Sequence, residues 1–95
     1  MSITRNDNWS TSESKAAHVG VALSSEVRIR ILKILIENPG LNASELSQKL
    51  KRHRTTIHKH LFFLKRANLV KEHYCIHQYQ LFVNSKSENL LEYFI

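Results

Sequence analysis

Between Leu46 and Lys71 the chain carries eight Lys and Arg residues (Lys49, Lys51, Arg52, Arg54, Lys59, Lys65, Arg66 and Lys71) and no Asp or Glu. The rest of the chain holds six basic and eight acidic side chains, a net −2, so this one stretch carries the whole formal charge of +6. Cations gathered in this way are the electrostatic footprint of phosphate binding; a solvated lysine-rich face is the bland alternative. Arg54 and Lys59 suit guanine O6 and N7, while Thr55 and His58 suit base edges or a thymine methyl. Lys51, Arg52 and Thr56 suit phosphates, where they set register without carrying sequence information, and Arg66 and His77 complete the candidate DNA-binding set.

Two short helices with a tight break position these groups. Asn42 and Glu45 have the spacing of a capping box, and Leu46 and Leu50 mark the buried face of the helix it opens. Lys51 to His53 is the break, and a second helix runs from about Arg54 to Ala67. Ile57, Leu61 and Leu64 share its inner face, flanked by His60 and Phe63. The outer face carries Thr55, His58, Lys59, Phe62 and Arg66. Asn68 stands where a left-handed residue is expected to end the helix. His60 reads as a structural histidine. Phe62 is out of character on a polar face, and three roles stay open for it: packing on the hairpin, contact with sugar or thymine methyl groups, or contact with a partner.

Upstream, Ser10 and Glu13 predict a capping box for a first helix to about Leu23, with Ala16, Val19 and Leu23 as its docking face. Gly20 weakens that helix by about 1 kcal/mol relative to Ala. Ser25 caps the next helix, which Asn38-Pro39-Gly40 ends after Glu37. Its stripe of Val27, Ile31, Ile34 and Leu35, widened by Leu32 and Ile36, predicts a central helix contacted from two sides. For Arg28, Arg30 and Lys33 a structural or solvated role is preferred over phosphate contact. After Val70 the period changes from 3.6 to 2. Val70, Glu72 and Tyr74, then Tyr79, Leu81 and Val83, predict two strands joined near Cys75-Ile76-His77.

Composition narrows the function. At 95 residues there is room for one core, with residues 1–12 a flexible tail and 13–95 the domain. No apolar run approaches the ~20 residues needed to cross a bilayer, and no secretory signal is recognisable, so a cytoplasmic location is expected. There is no Gly-rich phosphate loop, no zinc-binding His-Glu helix and no acidic pair placed for acid–base work, so no enzyme, cofactor or small-molecule ligand is expected. Cys75 is the single cysteine; a reduced thiol is expected, with an intersubunit disulfide as the alternative. His73-x-Cys75-x-His77 offers only three ligands for a metal that prefers a closed set of four, so no metal site is expected.

The run from Ala22 to Val83 resembles the arsenic-repressor (ArsR-type) family of winged-helix transcriptional regulators. The residues that carry the likeness are Ala22-Leu23-Ser24-Ser25, Val27 to Leu32, Glu45-Leu46, Leu50, Thr56 to Leu61, and Leu64 to Val70. The resemblance implies a winged helix-turn-helix, mainly α with a small β-hairpin in the order α-α-α-α-β-β-α. It implies binding to double-stranded DNA, with helix 54–67 in the major groove and hairpin 70–83 as the wing. It also gives Arg28 a structural role. The metal-sensing cysteines of the best-known members are replaced here by Asn42 and Ser44, and their Asp/His site on the last helix has no counterpart. The turn of the hairpin is shorter than the family pattern and lacks its Gly.

Ser85 and Glu88 predict one more capping box, opening a C-terminal helix with Leu90, Leu91, Phe94 and Ile95. So short a helix needs its apolar face covered. Family members dimerise through their terminal helices, which makes these four residues the expected homodimer interface. A winged helix serving as a protein-interaction module in a transcription or replication assembly is the alternative to a DNA-binding regulator.

Overall fold

The computed structural model describes residues 11–85. In chain order it comprises α1 (Thr11–Ala22), α2 (Glu26–Glu37), α3 (Ala43–Leu50), α4 (Arg54–Arg66), β1 (Val70–Cys75) and β2 (Gln78–Val83). Ser10, expected to cap α1, lies outside the described residues. So does the expected C-terminal helix beyond Ser85, with the proposed interface residues Leu90, Leu91, Phe94 and Ile95.

Local chemistry sets the helix ends. The Ser25 side chain accepts from the Arg28 N–H and starts α2. Asn42 and Glu45 form both halves of the expected capping box at α3, each side chain bonding the other's backbone N–H at 2.8 and 2.9 Å. At the far end of α3, Lys51 takes a left-handed conformation with φ 55°. There Arg52 N–H reaches the Ser47 carbonyl at 3.1 Å, and the Ser47 hydroxyl donates to the Arg52 carbonyl. Helix α4 ends in a Schellman motif: Asn68 sits at φ 61°, its N–H bonds the Lys65 carbonyl at 2.9 Å, and Leu69 N–H bonds the Leu64 carbonyl at 3.0 Å. Leu64 and Leu69, the positions whose apolar contact commonly accompanies this motif, are both buried in the core.

One core joins all the elements. Ala22 comes from α1, Ile31, Leu32 and Leu35 from α2, Leu46 from α3, and Ile57, Leu61 and Leu64 from α4. Leu69, Val70, Leu81 and Val83 close it from the hairpin side. Each fully buried aliphatic side chain contributes roughly 1.5–3 kcal/mol. The pattern departs from expectation in two places. Ala16 is exposed, and the docking contact of α1 is Ala22 with half-buried Leu23, because only the last turn of α1 reaches the core. In α2, Leu32 is wholly buried but Ile36 is 39% exposed, so the wide stripe is covered along one side only.

The hairpin pairs Val70 with Val83, Glu72 with Leu81, Tyr74 with Tyr79 and Cys75 with Gln78 in antiparallel register. The alternation therefore reads as expected, but only its base is buried. Toward the tip, Tyr74 and Tyr79 are exposed and pack on each other with ring centroids 5.0 Å apart. A second tie holds the base. Gly40 N–H donates to the Leu81 carbonyl at 2.8 Å, and Leu81 N–H donates to the Leu41 carbonyl at 2.9 Å. Gly40 reaches this position with φ 94°, a conformation open to glycine and strained for other residues.

The loop is two residues long, Ile76 and His77, with φ of 44° and 63°. Positive φ at both positions marks the type I′ turn, whose usual residues are Asn and Gly. A β-branched residue there costs about 1–2 kcal/mol, and Ile76 recovers little of this by packing because it is 83% exposed. Ile76→Asn combined with His77→Gly should therefore raise unfolding stability by about 1–2 kcal/mol, measured by urea denaturation.

Candidate nucleic-acid interface

All nine candidate DNA-binding residues lie at the surface: Lys51, Arg52, Arg54, Thr55, His58, Lys59, Arg66 and His77 are exposed, and Thr56 is half-buried. They divide into groups. Lys51, Arg52, Arg54 and Thr55, with Ser47 and His53, line an open cleft of about 450 Å³ at the α3–α4 turn. The N-cap His53 makes no side-chain bond to the first turn of α4, so that end presents its N–H groups beside Lys51 and Arg52. Free helix N–H groups next to cations favour an anion.

A second cleft of about 310 Å³ lies between the start of α3, α4 and the hairpin, and it brings Arg54 and His58 together with His77. Asn42, Ser44, Gln78 and Tyr79 also line it, and Asn42 Nδ2 donates to Gln78 Oε1 at 2.8 Å. That bond ties the hairpin to the helix-turn-helix. Lys59 and Arg66 enter neither cleft; they continue along the outward face of α4, Arg66 at its C-terminal end. Among the described residues no three His, Cys, Asp or Glu side chains converge as metal ligands, so His73, Cys75 and His77 are not brought together. No described helix is long and apolar enough to cross a membrane.

Two cations are engaged elsewhere. Lys65 Nζ lies 3.1 Å from Glu72 Oε1 and joins α4 to β1. Arg28, preferred as structural from the sequence, holds three helices. Its Nε donates to the Ala22 carbonyl and its Nη2 to the Val21 carbonyl, both at 3.0 Å. These carbonyls belong to the last turn of α1, where orphan acceptors and the helix dipole both favour a cation. Nη1 contacts His60 Nδ1 of α4 at 3.1 Å, and the guanidinium lies 4.8 Å from the centre of the Phe63 ring. A guanidinium has only donors, so His60 Nδ1 accepts and the ring is neutral with its proton on Nε2. Burial, reinforced by the charges of Arg28 and Arg52, lowers the His60 pKa from its ordinary 6.5. His60 is thus the structural histidine expected from its flanking position.

Sequence reasoning missed the Ser47 bond that closes the helix-turn-helix and the Asn42–Gln78 tie. Each joins polar residues whose types are common at helix ends and strands, and only the folded chain shows the pairing. Arg28 left a signal: a charge inside the apolar register of α2.

Known proteins share this architecture. Residues 24–71 match the winged helix-turn-helix DNA-binding family. An uncharacterized HTH-type transcriptional regulator of Methanocaldococcus jannaschii is 39% identical over 57 residues, which span 60% of this chain and 64% of the relative. The match thus covers under two thirds of that curated relative's length. Among solved structures, HlyU of Vibrio cholerae superposes with a TM-score of 0.75 at 24% identity, covering 90% of this chain and 94% of its own. A homodimeric winged helix-turn-helix DNA-binding domain from Mycobacterium bovis, a possible ArsR-family regulator solved by solution NMR, reaches 0.82 at 19% identity and covers 98% of this chain and 86% of its own. At these identities the two structures share the fold with this chain.

The Arg28 network generates two measurable effects. Arg28→Ala should destabilise the fold by about 1–3 kcal/mol through the carbonyls and imidazole left without their donor. Arg28→Lys should recover little, since one ammonium cannot serve the same fork. For His60 the folded pKa lies below the unfolded one, so the unfolded chain binds more protons below pH 6.5. The stability this contributes should be present above about pH 6.5 and fall as pH drops below it. Urea midpoints measured across this range should show the slope, and His60→Asn, which keeps an acceptor near the Nδ1 position, should reduce it.

Proposed function

Because the chain belongs to the winged helix-turn-helix DNA-binding family, we propose that it is a sequence-specific transcriptional regulator of double-stranded DNA. In this reading α4 enters the major groove and the β1–β2 hairpin lies alongside as the wing. The observation that carries it is the outward face of α4 and the preceding turn, where Lys51, Arg52, Arg54, Lys59 and Arg66 are exposed with no acidic residue between Leu46 and Lys71. Lys51 and Arg52, beside the free N–H groups of α4, take phosphates; Thr56, set back toward the core, supports the same backbone contact. Arg54, Thr55, His58 and Lys59 occupy the N-terminal half of α4 and read base edges. His77 meets the same DNA from the hairpin side, and Arg66 contacts the backbone farther along.

We further propose a homodimer working in the cytoplasm. The Mycobacterium bovis domain of the same fold is homodimeric. Val21 of α1 is 48% exposed, an apolar side chain suited to meet the expected interface residues Leu90, Leu91, Phe94 and Ile95 of a partner subunit. A two-fold dimer then presents two copies of α4 to half-sites one helical turn apart.

Duplex affinity should fall steeply with salt, with a slope in log K of about −0.9 per phosphate neutralised and roughly four to six phosphates per subunit. Salt-independent binding would rule the reading out. Arg54→Ala and His58→Ala should relax base preference in selections from random DNA. Lys51→Ala should weaken all sequences alike and reduce the salt slope by about one. Deleting residues 89–95 should give a monomer by light scattering and remove the ~10²–10⁴ gain of linked half-sites. A truncated protein that stays dimeric would place the interface elsewhere.

A further inference from the structure

Phe62 is 56% exposed on the outward face of α4. It does not line the cleft between α4 and the hairpin. Its neighbours on the helix surface are His58 and Lys59 one turn back and Lys65 and Arg66 one turn on, all exposed. Thr55, His58, Lys59 and Phe62 stand at i, i+3, i+4 and i+7, one continuous stripe along α4. The Phe62 ring meets Phe63 edge to face, with centroids 5.4 Å apart and planes at 79°, and Phe63 lies under the Arg28 guanidinium at 4.8 Å. An exposed apolar side chain flanked by Lys59 and Arg66 has an electrostatic setting that suits a polyanion better than an ordinary apolar partner.

We propose that Phe62 is a specificity-determining residue that reads the 5-methyl group of thymine in the major groove. This rests on the DNA-binding reading above and deepens it. The chemistry is selective because the thymine methyl is the apolar group in the base-pair code of the major groove; the remaining features are donors and acceptors. A phenyl ring seated against a guanine or adenine edge would desolvate polar atoms without satisfying them. Against a methyl it gains apolar contact.

The test is a methyl scan. In a duplex selected by the wild-type protein, each thymine is replaced singly by deoxyuridine, which keeps every hydrogen-bonding group and removes the methyl. Wild-type affinity should drop roughly fourfold at one or two positions per half-site, the equivalent of ~0.8 kcal/mol for one buried carbon group. Phe62→Ala should bind the parent duplex more weakly and be indifferent to deoxyuridine at those same positions, with its salt slope unchanged. Phe62→Leu should keep part of the methyl sensitivity. Circular dichroism confirms folding of both variants, and the ring is too exposed for its loss to unfold the core. Equal deoxyuridine penalties in wild type and Phe62→Ala, with salt-dependent binding intact, overturn this inference and leave the DNA-binding reading standing. A change in oligomeric state of Phe62→Ala, with the methyl penalties retained, assigns the ring to a protein interface and likewise overturns it. Absence of salt-dependent duplex binding by the wild type removes the DNA-binding reading itself.

Discussion

The guanidinium of Arg28 is the constraint on which the arrangement of helices depends. A single planar fork reaches two carbonyls at the end of α1, an imidazole of α4 and the face of Phe63, while its own backbone sits in the first turn of α2. Helices α1 and α4 both meet α2 at this residue. Interdigitating apolar side chains set how the helices cross, and the planar fork of Arg28 adds a directional polar tie among α1, α2 and α4. It also fixes the protonation state of His60, because an imidazolium there would face a second cation with no acceptor to offer.

Positive charge is consequently divided between two roles. Arg28 and Lys65 are engaged in holding helices and hairpin together. Lys51, Arg52, Arg54, Lys59 and Arg66 are exposed along the α3–α4 turn and α4. The Arg28 guanidinium also lies over the ring of Phe63, which in turn meets the exposed ring of Phe62.

The hairpin follows a different logic. Its base is bound into the core by Val70, Leu81 and Val83 and by the Gly40 and Leu41 backbone bonds, and Asn42 holds Gln78 from the side. Its tip is tight, strained and apolar, with Ile76 held at positive φ. Such a wing is anchored firmly at its base, and only Lys71, near that anchored end, carries a fixed cation. Coulomb attraction to DNA is therefore concentrated in the helix-turn-helix and not in the wing.

Period and caps were enough to read the elements from the sequence. Asn42 with Glu45 opens α3, Asn68 ends α4, and the change of period after Val70 starts the hairpin; each is a local effect, decided within a few residues by backbone hydrogen bonding. The basic segment was equally legible, because charge is additive along the chain. What lay between distant residues was not. Arg28 and His60 are 32 positions apart, and Asn42 and Gln78 are 36 apart, so no local pattern links them. The exposure of Ala16 and Ile36, on faces that periodicity marked as apolar, was likewise decided by which neighbouring helix covers each turn. Amphipathic spacing shows that a helix has an inner face, but how far along that face burial extends depends on the packing of the rest of the fold.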